Sequence, residues 1–156
     1  MGIEIERKFL IRNDDWKSTA GKGRLCRQGY LVAASDKTVR VRMIDHEATL
    51  TIKGATQGIS RPEFEYPIPE SDAVELLKLC NNVVEKTRYN IPHAGLLWEL
   101  DVFSGDNEGL IMAEVELESE EQAVDLPVWI GAEVTGDVRY YNAYLASHPF
   151  RGWEAH

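Results

Sequence analysis

Pairs of like-charged side chains recur at every second position of this chain, and they are the types that handle phosphate. Val39-Arg-Val-Arg42 places Arg40 and Arg42 on one face of an extended segment, and Glu85-Lys-Thr-Arg88 does the same for Lys86 and Arg88. Paired arginines grip phosphate oxygens bidentately, and lysines add point charges. Lys8 and Lys53 join this cationic set. The carboxylates keep the same spacing: Glu4 with Glu6, Glu63 with Glu65, Glu114 with Glu116, and Glu99 with Asp101. Clustered carboxylates bind hard divalent cations such as Mg²⁺ or Mn²⁺. Both charge types in one cavity point to a metal-bound polyanion, most simply a triphosphate.

A plainer arrangement would be an open antiparallel sheet with its polar face in water. Solvated faces usually mix Thr, Ser, Gln and Lys, whereas these are almost purely ionic and sorted strand by strand. Like charges at i and i+2 destabilise a sheet unless a counter-charge lies between them. A functional site explains that cost. The fold expected is mainly β, an eight-stranded antiparallel closed barrel with charged residues lining its bore and a few helices packed outside.

The elements that must position these groups follow from periodicity. Residues 2–11 alternate as a strand, with Glu4, Glu6 and Lys8 on one face. Further strands are expected at 25–32 (with Gly29 as a candidate bulge), 38–44, 48–53, 61–68, 83–91, 96–103 and 111–118. Residues 13–23 form a polar loop around Trp16. Residues 69–79 read as a helix, with Ser71 as N-cap and Ala73, Leu76, Leu77 and Cys80 as its apolar stripe. Ser119-Glu-Glu-Gln122 reads as a capping box opening a short helix. A last helix is expected over 137–147, with Tyr141, Tyr144 and Leu145 on its apolar side.

The chain has 156 residues, which suits one domain, here 1–156. Lys and Arg number 17 against 26 Asp and Glu, a net charge of −9, so nucleic acid and anionic membrane surfaces are poor partners. The N-terminus is acidic and strand-like, unlike a signal peptide. Cys26 and Cys80 show no ligand spacing and read as buried reduced thiols, which fits the cytoplasm. His46, His93, His148 and His156 fall in turns or the tail and are not expected to be ligands.

Glu4-Ile-Glu-Arg-Lys8 resembles the E-x-E-x-K signature of the triphosphate tunnel metalloenzymes, the CYTH superfamily. Val39-Arg-Val-Arg42 is similar to that family's R-x-R strand, Thr51-Ile-Lys53 to its single-lysine strand, Glu63-Phe-Glu65 to its E-x-E strand and Glu85-Lys-Thr-Arg88 to its K-x-R strand. Glu99-Leu-Asp101 and Glu114-Val-Glu116 resemble its late acidic strands, and Asp137-Val-Arg-Tyr-Tyr-Asn142 its closing motif. The resemblance covers essentially the whole chain and is closest to short bacterial members that hydrolyse inorganic tripolyphosphate. It implies a tunnel in which Glu4, Glu6 and Glu116 hold one Mg²⁺ or Mn²⁺. Glu63, Glu65, Asp101 and Glu114 are its candidates for a second metal. Lys8, Arg40, Arg42, Lys53, Lys86, Arg88 and Arg139 would hold the phosphates.

Lys86 is the lysine expected nearest the chemistry, since cationic neighbours lower its pKa and suit it to relay a proton. Tyr30, on the same strand face as Gln28, is a candidate partner base beside it. Within the family, class IV adenylate cyclase and thiamine or nucleoside triphosphatases are alternatives. They would need a place for an organic group at a tunnel mouth, to which Trp16 and Trp129 could contribute. Outside it, a catalytically silent polyphosphate-binding module would keep the cations without needing the metal carboxylates. The partner expected is a small-molecule triphosphate, and a homodimer is compatible with the sequence.

Overall fold

A computed structural model describes residues 2–153. Eight strands close into an antiparallel barrel: β1 (Gly2–Ile11), β2 (Arg24–Ala33), β3 (Lys37–Ile44), β4 (Glu47–Gly54), β5 (Ser60–Ile68), β6 (Val83–His93), β7 (Leu96–Phe103) and β8 (Ile111–Glu116). Neighbours run in the order β5-β4-β3-β2-β6-β7-β8-β1, and β1 returns to pair with β5, from Gly2 opposite Glu63 to Ile5 opposite Ser60. Beyond Ile5 that edge of β1 is taken over by a ninth strand, β9 (Ile130–Glu133), which meets it at Phe9 and Ile11. The sequence pattern does not announce β9, because four residues are too few to display a period.

Two-residue side-chain alternation separates the barrel's faces. Outward residues build two cores. Phe9, Ile91, Trp98, Leu100, Ala113 and Val115 pack beneath the segments carrying Trp16, Leu117 and Trp129. Val41 and Ala48 pack beneath Ala73 and Leu77 of α1 (Glu70–Lys78). Trp16 and Trp129 are therefore core residues and take no part in a tunnel mouth.

A third cluster breaks the simple rule of charge inside and grease outside. Val84, Phe103, Met112, Leu10 and Tyr30 share the parity of the charged residues, yet they pack against Leu145 and Ala146 of α2 (Asn142–Ser147). All five lie towards the same rim, where β1, β2 and β7 end and β6 and β8 begin. The interior is thus zoned along its axis, and the C-terminal segment seats on the apolar zone.

Local differences from the sequence pattern have physical causes. α1 begins after Pro69, not at Ser71: Pro69 is the extended N-cap residue (φ −61°, ψ 142°), and its C=O accepts from Ala73 N–H at 3.1 Å. Residues 119–122 make a turn with Gln122 N–H on Ser119 C=O instead of a helix, and the Gln122 side chain accepts from Glu118 N–H. The last helix is split. Val138–Tyr140 forms a 3-10 turn, Tyr141 is extended (φ −74°, ψ 136°), and α2 follows. Both Ala94 (φ 50°) and Gly95 (φ 82°) adopt positive φ, as the two-residue turn between β6 and β7 requires.

Gly29 marks no bulge, since the register of β2 against β3 shifts between Tyr30 and Val32. Its role is close approach. A Cβ there would lie 2.7 Å from Cys80 Sγ and 2.8 Å from Cys80 Cβ. Gly29→Ala should therefore lower stability by about 1–3 kcal/mol through overpacking. Gly21→Ala, with nothing within 4 Å of its added methyl, serves as the control. Equal thermal midpoints for the two variants would contradict this packing.

Candidate functional site

Six strands bring these charged positions to one bore. β1 supplies Glu4, Glu6 and Lys8, and its register with β8 sets Glu6 opposite Glu116 and Lys8 opposite Glu114. β6 and β7 set Arg88 opposite Asp101. β3 and β4 set Arg40 opposite Thr51. Lys8, Arg40, Lys86, Arg88, Asp101 and Glu4 are all buried. A cavity of about 560 Å³ runs inward between the β2–β3 turn, the β4–β5 loop and the C-terminal segment. Lys8, Arg40, Lys53, Lys86 and Arg88 reach it, together with Glu4, Glu6 and Glu114.

Most of these charges are paired. Arg88 grips Asp101 bidentately, through Nε at 2.8 Å and Nη2 at 2.9 Å, and also reaches Glu99 (3.1 Å) and Glu114 (3.4 Å). Lys86 Nζ lies 2.7 Å from the same Asp101. Lys53 donates to both oxygens of Glu4, at 3.0 and 2.9 Å. Arg40 and Arg42 share Glu65, at 3.6 and 3.7 Å, and Thr51 donates to that carboxylate at 2.9 Å. Lys8 lies 3.9 Å from Glu114 and donates to Tyr140 C=O at 3.1 Å.

Protonation follows from these partners. Burial alone would raise the Asp101 carboxyl, yet Lys86 and Arg88 hold it below its ordinary value. Glu114 is likewise kept low against burial, by Lys8, Arg88 and Lys86. Burial pushes the Lys86 ammonium down and Arg88 adds to this, while Asp101 opposes both. Burial raises Glu4 even with Lys53 beside it. Glu6 stands apart: among the described residues it has no hydrogen bond or ion pair, and burial with Glu114 and Glu4 nearby pushes it up to about 8.

The structure spreads the expected metal carboxylates along the bore. Glu4, Glu6 and Glu114 line the cavity. Glu63 lies near Lys53 (3.6 Å), Glu65 and Asp101 are occupied by cations, and Glu116 is exposed. Among the described residues, no three Asp, Glu, His or Cys side chains are gathered closely enough to form a ready-made cage. The donor set still suits a hard cation. Glu6 is an open oxygen donor beside Glu4 and opposite Glu116, and such like-charged neighbours call for a counter-charge.

Of the expected phosphate ligands, Arg42 stays with Glu65 outside the cavity lining. Arg139 lies on the outer side of the C-terminal segment, paired with Asp137 at 2.6 Å and set over the rings of Tyr140 and Trp153. Tyr30 lines the cavity, but its oxygen accepts from Gln28 Nε2 at 2.9 Å, and no hydrogen bond joins it to Lys86 among the described residues. Arg7 and Glu85 alternate with the inward charges and point outward, to Glu133 and Arg27. Also lining the cavity are Arg61, which shares the face of Glu63 and Glu65 by alternation, Tyr141 and Tyr144, which the sequence reads as an apolar stripe, and Asn142. Cys26 and Cys80 are free thiols, the first buried inside the barrel and the second half-buried. His46, His93 and His148 lie outside the strands' charged face, and His156 falls outside the described residues.

A closed antiparallel barrel with a cationic, carboxylate-edged bore defines a class of polyanion-handling protein. The chain belongs to the CYTH domain family, whose model matches residues 2–143. It is 49% identical over 156 residues to the inorganic triphosphatase of Acetivibrio thermocellus, covering 99% of both chains. It is 41% identical over 153 residues to the inorganic triphosphatase of Nitrosomonas europaea, covering 92% of this chain and 96% of that one. Among solved structures, the inorganic triphosphatase NE1496 superposes with a TM-score of 0.64 at 38% identity, over 92% of this chain and 93% of that one.

Glu6 gives a pH test of the site. Its folded pKa of about 8 lies above the ordinary 4.5, so the metal-free fold keeps a proton that the unfolded chain releases. That stabilisation is complete below about pH 4.5 and is lost as pH rises through about 8. In chelator, the thermal midpoint of the native chain should therefore fall across this window more steeply than that of Glu6→Gln. Added Mg²⁺ should flatten the native curve. Parallel curves for the two proteins would contradict the placement of Glu6.

Proposed function

We propose that this protein hydrolyses inorganic triphosphate in its bore with Mg²⁺ or Mn²⁺. The observation that carries this is the convergence of Lys8, Arg40, Lys53, Lys86 and Arg88 on one cavity, where Arg40 Nε is buried without a hydrogen-bond partner among the described residues. A buried guanidinium N–H left open is costly unless a ligand oxygen meets it.

Phosphoryl transfer to water needs charge neutralisation and in-line placement more than covalent chemistry from the protein. Arg40 and Arg88 bind the phosphate oxygens, and Lys8 and Lys53 add charge along the chain. Lys86, with its lowered pKa, sits where a proton could be given to the leaving phosphate. Tyr30 accepts from Gln28, so its own O–H is free to donate into the bore. That makes it a phosphate-binding donor more readily than a base. Glu4, Glu6 and Glu116 would hold a metal. Glu63, Glu65, Asp101 and Glu114 would serve a second only by exchanging their present cationic partners. A metal bound there would neutralise phosphate oxygens and acidify water. Free thiols and the small-molecule substrate suit the cytoplasm, and no helix among the described residues is long and apolar enough to cross a membrane.

One observation favours a second substrate class. Tyr141 and Tyr144 line the cavity, and Tyr144 stacks on His148 with ring centroids 4.1 Å apart. These rings could receive the organic group of a nucleoside or thiamine triphosphate. Phosphate release from tripolyphosphate, pyrophosphate, ATP and thiamine triphosphate, each with Mg²⁺ or Mn²⁺ and with cyclic AMP measured alongside, decides among them. Tripolyphosphate should be the best substrate. Release that persists in chelator would overturn the metal requirement, and none from any triphosphate would leave a binding module.

Glu4→Gln and Glu116→Gln should each reduce metal-dependent turnover roughly 100-fold or more. Arg40→Ala should chiefly raise KM, by roughly tenfold, the effect of losing one charged hydrogen bond. A change confined to kcat in Arg40→Ala would argue against ground-state phosphate binding there.

A further inference from the structure

The C-terminal segment does more than cover one rim of the barrel. Tyr141 is extended between the 3-10 turn and α2, so the chain redirects at that point. Tyr141 and Asn142 then both face the cavity. Asn142 Oδ1 accepts a hydrogen bond from Lys86 Nζ at 2.9 Å. Lysine only donates, so the carboxamide oxygen must face it, and the Asn142 amide orientation is settled by chemistry.

Lys86 is 1% exposed, and its four-carbon stem would otherwise leave the ammonium several rotamers. Its Nζ carries three hydrogens. Asp101 pairs with the ammonium at 2.7 Å, and Asn142, 56 positions further along the chain, accepts one of these hydrogens. We propose that Asn142 is a positioning residue for Lys86, fixing the ammonium so that its remaining N–H points into the bore towards a phosphate oxygen. This rests on the functional reading of the bore given above. Asp101 alone cannot set that direction, because one carboxylate, with the Phe103 ring centroid 5.4 Å from Nζ offering no directed acceptor, leaves the ammonium free to swing.

The seat of the segment does not depend on Asn142. Leu145 is fully buried against the apolar zone, Tyr140 C=O accepts from Lys8, and Tyr140 packs edge-on to Trp153. Asn142→Leu, which keeps the size and removes the acceptor, should therefore fold, with a thermal midpoint lowered by no more than about 5 °C.

The test is a set of steady-state measurements on tripolyphosphate. Asn142→Leu should lower kcat at least tenfold while KM moves less than threefold, roughly the cost of a misplaced reacting group. Asn142→Asp, which retains an acceptor, should recover most of that kcat. In a Lys86→Met background, Asn142→Leu should cost less than about twofold more, because its effect passes through Lys86. Unchanged kcat in Asn142→Leu, no rescue by Asn142→Asp, or losses that multiply in the double variant would each overturn the proposal. A second readout needs no turnover. The buried Lys86 ammonium should give an NMR signal that Asn142→Leu shifts, because one acceptor is removed while Asp101 keeps its place. If the native protein releases no phosphate, the functional reading falls by itself and this signal decides the positioning. A shifted signal supports the role, and an unmoved one contradicts it.

Discussion

At the centre of the barrel one carboxylate, Asp101, is shared by Arg88 and Lys86, and all three are almost fully buried. Everything else in the bore is arranged around that arrangement's cost. Removing Asp101 would leave Lys86 as a buried charge without its carboxylate, a loss of about 3–5 kcal/mol. The network therefore fixes where β6 and β7 face each other and which cations remain free to meet a ligand. Arg88 spends four of its five N–H donors on Asp101, Glu99 and Glu114 and keeps one on Nη1 for a ligand, while Arg40 keeps a buried Nε in reserve. The bore is thus a set of mostly satisfied pairs with a few deliberate openings, at Arg40 for anions and at Glu6 for cations.

The axial zoning gives those openings a direction. Charged residues occupy the middle of the bore, and Val84, Phe103 and Met112 fill the rim beneath Leu145. An apolar zone there does two jobs. It anchors the C-terminal segment without using polar groups, and it lowers the local dielectric next to Lys86, which strengthens each charge interaction. β9 completes the attachment, since Val134 N–H bonds Lys8 C=O and Thr135 Oγ1 accepts from Lys8 N–H. The strand that carries Glu4, Glu6 and Lys8 is therefore tied on one edge to the segment that carries Tyr141 and Asn142.

The barrel was legible in the sequence because closure makes inward and outward residues alternate with a period of two, and ionic faces make that period loud. Glu4, Glu6, Lys8, Arg40, Lys53, Lys86, Arg88 and Glu114 all arrive where alternation sends them. What stayed hidden was decided by contacts between distant segments. Arg139 matches a motif, but Asp137 two residues away captures it locally and turns it outward. Asn142 shows no periodic signal, because its role comes from a segment 56 positions beyond Lys86. Gly29 looked like a bulge and is instead a gap for Cys80, a fact that only helix packing could reveal. Trp16 and Trp129 are large enough to be wanted in the core, and burial outweighed any use at the mouth.

The central claim is that a phosphate chain lies inside the bore among inward-facing cations. Diffraction from metal-free crystals grown with tripolyphosphate tests it most directly. The account predicts phosphate density within hydrogen-bond reach of Arg40, Lys8, Lys86 and Arg88, with one oxygen meeting Arg40 Nε. Tripolyphosphate found on the outer face of the barrel, with the bore filled by water alone, would contradict it.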